Sequence, residues 1–180
     1  AGAKPLLERS LGIRKMVLGD DLPDVAQSLN NLGLLLRQQG DLAGAKPLLE
    51  RSLEIKKKVL GDDHPDVAIS LNNLGLLLKQ QGDLAGAKPL LERSLEIRKK
   101  VLGDGHPDVA VAQENRGWLP QQQGDHAGAK PLLERSLEIR KKVLGDGPQD
   151  AAVGQNNSCL WSSEPREDNG GTPLLRPPPR

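Results

Sequence analysis

The residues best suited to metal binding or nucleophilic chemistry in this 180-residue chain are three histidines, His64, His106 and His126, and one cysteine, Cys159. The histidines are 42 and 20 residues apart, with no cysteine or carboxylate set at ligand spacing, so no metal site is expected. A single thiol forms neither an internal disulfide nor a cysteine-based zinc site. Gly103-Asp104-Gly105 has no strand pattern before it and no Gly-Lys-Ser/Thr after it, and reads as a connector, not a phosphate loop. With no tyrosine, no nucleophile–base set and no cofactor fingerprint, the chain reads as a non-enzyme without cofactors.

Charge and composition narrow the classes further. The 25 basic and 24 acidic residues leave a net charge of +1, and no basic stripe of the kind that nucleic-acid or anionic-membrane binding requires. No apolar run is long enough to span a bilayer, and no signal-type segment opens the chain, so a cytoplasmic location is expected. There is no Phe and no Tyr, and there are two Trp, so Leu, Ile, Val and Ala must build the core.

Those aliphatic residues recur with a period of 42, in runs that begin at Leu22, His64 and His106. Residues 1–21 repeat the second half of a unit. Units follow at 22–63, 64–105 and 106–147, a decayed start at 148–161, and a Pro- and Gly-rich tail at 162–180 that reads as disordered. Each unit reads as two helices. The first opens at Pro23, Pro65 or Pro107, where the missing N–H costs nothing, and carries Leu29, Leu32 and Leu36 or their counterparts at helical spacing. Gly40-Asp41 turns the chain and Asp41 can cap the next helix. That helix carries Ala45, Leu49 and Leu53, ends in a basic run (Lys56 to Lys58, Arg98 to Lys100) expected to be solvated, and closes on Gly. Pro47, Pro89 and Pro131 fall inside it, which predicts a kink near Gly44, Gly86 and Gly128. The third unit has Gln113, Arg116, Pro120 and His126 where the second has leucine, which predicts a first helix shortened or poorly packed after Leu119.

Leu29-x-x-Leu32-Gly33, Leu36, Gly40-Asp41, Ala45 and Leu49 together resemble the tetratricopeptide repeat, and the Leu-Gly-Asp-Asp-His-Pro-Asp-Val-Ala connector is similar to its kinesin light chain and nephrocystin-3 branch. The resemblance covers about residues 1–150. It implies an all-α solenoid of antiparallel helical hairpins wound into a right-handed superhelix. Coiled-coil heptads of a kinesin light chain are absent, so no motor-subunit role follows.

The resemblance also implies a function. In the family the first helix of each unit lines the concave face, where asparagine amides bind the backbone of an extended peptide. The matching residues are Asn31, Asn73 and Asn115, and Asn157 keeps the position in the decayed unit. An amide offers donor and acceptor together. Neighbouring positions are Asn30, Leu34 and Arg37, then Asn72, Leu76 and Lys79, then Val111, Glu114 and Trp118. The expected role is an adaptor that binds a protein segment, with a preference for an acidic group and a hydrophobic anchor. Two alternatives stay open: the asparagines tie adjacent helices together, and Trp118 is either an anchor or drift in a degraded unit. A spacer within a larger protein, or self-association through uncapped ends, is the competing role.

Overall fold

A computed structural model of the chain describes residues 2–19, 22–122 and 125–144, and every regular element among them is an α-helix. Helix α1 (Ala3–Leu18) precedes three hairpins, α2 (Pro23–Gln38) with α3 (Leu42–Leu60), α4 (Pro65–Gln80) with α5 (Leu84–Leu102), and α6 (Pro107–Gln122) with α7 (His126–Leu144). The decayed start at 148–161 and the tail at 162–180, with Asn157 and Cys159, lie outside the described residues.

The expected stop signals set the helix bounds. Proline occupies the first turn of α2 and α4. Asp41 and Asp83 each accept a hydrogen bond from the N–H of Gly44 or Gly86 at 2.8 Å and cap the second helices. Gly61 and Gly103 end those helices with φ of 85° and 83°, a left-handed backbone that other residues avoid. His64 and His106 accept from the N–H of Asp66 and Asp108 at 3.1 Å through Nδ1, so the His-Pro-Asp junction is a helix start. The second helices run without interruption through Pro47, Pro89 and Pro131.

Aliphatic packing joins each unit to the next. Leu36, Ala45, Leu49 and Leu53 of the first hairpin form one cluster with Val67, Ala68, Leu71 and Ile97 of the second. Leu78, Ala87 and Leu91 then pack with Leu119 of the third. Each fully buried leucine contributes about 2–3 kcal/mol relative to exposure, so the hairpins hold together only when stacked. Within a hairpin the helices approach closely at Gly33, Gly75 and Gly117. A Cβ there would lie 2.9, 2.8 and 3.2 Å from the side chains of Leu49, Leu91 and Leu133.

Two expectations are corrected. Helix α6 is not shortened after Leu119 but runs to Gln122, as long as α2 and α4, and of the two expected outcomes looser packing is the one that fits, since a cleft lined by Leu119 and Pro120 opens there. Leu119 is buried, Trp118 packs beside it, and Arg116 meets Glu92 of α5 at 2.9 Å, which replaces the leucine contact. The basic run at the end of α3 is not wholly solvated, because Lys56 is 3% exposed. Its counterparts show why. Arg14 and Arg98 reach the carbonyls of Asp24 and Asp108 at 3.2 and 3.1 Å, so this cation ties the second helix to the first turn of the following unit.

Candidate peptide-binding face

The first helices form the inner row of the array. Among the described residues α2 touches α4 and α4 touches α6, whereas α3 and α5 do not meet. The array therefore curves with α2, α4 and α6 on the inside. Ile69 and Val111 are exposed there, and Leu34, Leu76 and Trp118 are half-buried at one register position of the three helices.

The asparagines occupy this row in two layers. Asn31 is exposed and accepts from Gln27 Nε2 at 2.9 Å. Asn73 donates through Nδ2 to Asn30 Oδ1 at 2.9 Å, and Asn115 donates likewise to Asn72 Oδ1 at 2.8 Å. Asn73 and Asn115 thus each tie their unit to the previous one. Asn30 and Asn72, expected beside the groove, are 4% and 8% exposed and sit beneath it as acceptors. Asn73 and Asn115 are half-buried.

The structure brings two candidate residues together that sequence spacing could only place in one row. Lys79 Nζ lies 3.6 Å from the centre of the Trp118 ring. A cation over an indole face is worth about 0.5–2 kcal/mol, depending on how far it is desolvated. Burial of its stem and head against α6 lowers the Lys79 pKa to about 8. One unit earlier, burial also lowers the Arg37 pKa, and its Nη1 has no hydrogen-bond partner among the described residues. Among the described residues neither of these inner-row cations has a carboxylate beside it, while surface lysines such as Lys46 and Lys99 do.

Glu114, expected in the groove, points inward instead. It accepts from Ser136 at 2.7 Å and pairs with Arg140 at 2.6 Å, both partners being largely buried. That network and the Arg116–Glu92 pair escaped sequence reasoning. The available signal was a glutamate replacing Asn72 in register with the cation row of Lys56, Arg98 and Arg140. Gln121 and Gln122 belong to the same row, but their side chains lie outside the described set.

No group of three or more His, Cys, Asp or Glu that could hold a metal occurs among the described residues, and no described helix is long and apolar enough to cross a membrane. A cleft of about 210 Å³ opens beside Leu84, Glu92, Arg116 and Pro120, where the third unit lacks leucines. It is smaller than the roughly 300–1,000 Å³ typical of ligand pockets.

Comparison with known proteins places this geometry. The family model of the tetratricopeptide repeat matches residues 1–58, 25–100 and 66–142. A search of curated proteins finds no match to the sequence. Among solved structures, the nearly identical TPR-like repeats of a protein described as a kinesin light chain from Podosopora anserina are 26% identical, with a TM-score of 0.76 over 88% of this chain and 75% of that one. BtubC (BKLC) from P. vanneervenii shares 21% identity and a TM-score of 0.71 over 98% of this chain and 80% of its own. The N-terminal domain of stress-induced protein-1 from C. elegans shares 18% identity and a TM-score of 0.56 over 76% of this chain and 96% of its own. The last two show likeness of fold alone.

Proposed function

Because the chain belongs to the tetratricopeptide repeat family, whose repeats generally serve as protein-interaction scaffolds, we propose that it is an adaptor that binds an extended peptide segment of a partner along α2, α4 and α6. The observation that carries this reading is the Lys79–Trp118 pair on the inner row. Tryptophan is enriched where partners anchor, and this one stands where the other units have Leu34 and Leu76. A hydrophobic side chain of the peptide would lie on the strip of Leu34, Leu76 and Trp118. An acidic group would draw Lys79 or Arg37, whose charges have been taken from water without an anion to replace it. The amides of Asn31, Asn73 and Asn115 would meet the peptide backbone.

The test is a peptide-display selection against the chain and against a Lys79→Met/Trp118→Leu variant, with equal helicity shown first. Leucine is the residue of the other two units at that register, so the variant should fold. Enrichment of an acidic–hydrophobic motif by the parent and its loss in the variant is expected. A motif retained unchanged by the variant, or none enriched by the folded parent, sinks this reading.

A further inference from the structure

Lys79 lies in the last turn of α4, and α4 touches α6 along the inner row. That contact sets its ammonium 3.6 Å from the centre of the Trp118 ring, a van der Waals distance for atoms stacked on an aromatic face. A peptide side chain laid on the same face would need the space that Nζ holds. The indole also packs against the cluster of Leu78, Ala87 and Leu91. The ring best suited to anchor a peptide is therefore covered in the free protein by a residue of the groove itself.

The cover is particular to this pair of units. Leu34 and Leu76 hold the register of Trp118 in the preceding units, and a leucine offers a cation no negative face. The acidic groups of the adjoining turns are engaged elsewhere. Asp83 accepts from the Gly86 N–H at 2.8 Å, Glu92 from Arg116 at 2.9 Å, and Glu114 from Arg140 at 2.6 Å. Burial lowers the Lys79 pKa, and among the described residues no carboxylate offsets it. An ammonium so placed leaves the ring at a loss unless an anion receives it. A carboxylate brought by a peptide would receive it through a charge-assisted hydrogen bond.

We infer that Lys79 sets the specificity of the groove as a removable cover: it holds the Trp118 face against hydrophobic segments that carry no acidic group, and gives it up to those that do. The inference rests on the groove reading above and adds that acid and anchor are read together, not as two independent contacts. Selectivity then comes from rejection, since a neutral segment must displace the cation and offers it nothing in return. Independent contacts would leave a neutral segment unaffected by loss of Lys79. A cover makes the neutral segment gain.

The probes are acrylamide and two peptides: the sequence that display enriches on the parent, and its twin with each Asp or Glu changed to Asn or Gln. All chains carry Trp161→Phe, which leaves Trp118 as the one indole emitter. Lys79→Ala, once shown to match the parent in helicity, should raise acrylamide quenching of Trp118 about twofold, because the lysine no longer shields the ring. In the same variant the acidic peptide should lose about tenfold in affinity, while the neutral twin gains about threefold or more. Lys79→Arg, whose guanidinium also lies over an indole, should keep the parent's preference. Unchanged quenching in Lys79→Ala would overturn the inference, as would a neutral twin that gains nothing while the acidic peptide still binds the parent at Trp118. Failure of the groove reading looks different: no peptide is enriched, or Trp118→Leu binds the acidic peptide like the parent, while quenching still responds to Lys79→Ala. The inference then falls with that reading.

Discussion

Lys79 sets a pH dependence that can be read in its sign. Its pKa is about 8 in the folded chain, lowered by burial, against an ordinary lysine value near 10.5. Between those values the unfolded chain holds a proton that the folded chain has released, so stability rises as pH climbs from about 8 toward 10.5. The Trp118 face favours the ammonium and offsets part of this slope. Urea titrations across that range should show the parent gaining stability and Lys79→Met staying flatter; identical slopes would remove Lys79 as the cause. Binding of an acidic peptide should weaken over the same rise, as the ammonium is lost. Gln113 offers a second residue-scale prediction. It is 3% exposed, its Oε1 has no hydrogen-bond partner among the described residues, and leucine fills its register in the two preceding units. Gln113→Leu should therefore stabilise the chain by about 1–2 kcal/mol in urea unfolding, since it removes a buried unsatisfied acceptor and restores apolar contact. Residue identity made the candidate row legible in the sequence, but not the partners within it. The doublets Asn30-Asn31 and Asn72-Asn73 have members about 100° apart on a helix, and which one turns inward depends on the neighbouring unit.

At the scale of the element, the helices were legible because capping, turn and packing signals agree. Proline at the start, Asp41 at the cap, and Gly61 at the end all fall where a 42-residue period requires them. The length of α6 was not legible from its own residues, which include Pro120 and lack the leucine stripe. Its partner supplies the difference. Glu92 accepts from Arg116, and Glu114 accepts from Ser136 and Arg140, so contacts with α5 and α7 replace the apolar ones that the helix lost. The close approach of paired helices gives the sharper test. Gly75 leaves no room for a methyl group, since its Cβ would stand 2.8 Å from Leu91, itself 1% exposed. Gly75→Ala should destabilise the chain by about 1–3 kcal/mol through overpacking, despite the better helix propensity of alanine. An unchanged or raised urea midpoint would show that α4 and α5 can separate without cost.

At the scale of the whole molecule, the stacking order should govern where stability resides. Each hairpin packs only on its neighbours, so stability is a sum of unit terms and contacts between adjacent units, not one shared core. Helices α4 and α5 have a hairpin on each side, and their cluster joins Leu49 and Leu53 of α3 to Val67 and Ile97. Among the described residues α1 packs on α2 alone, with Leu6, Ile13 and Met16 exposed, and α7 packs on α6 alone. Native-state hydrogen exchange should therefore give a gradient, with amides of α4 and α5 opening only near global unfolding and those of α1 and α7 opening at lower free energy. Uniform protection along the seven described helices would instead make the array a single cooperative block.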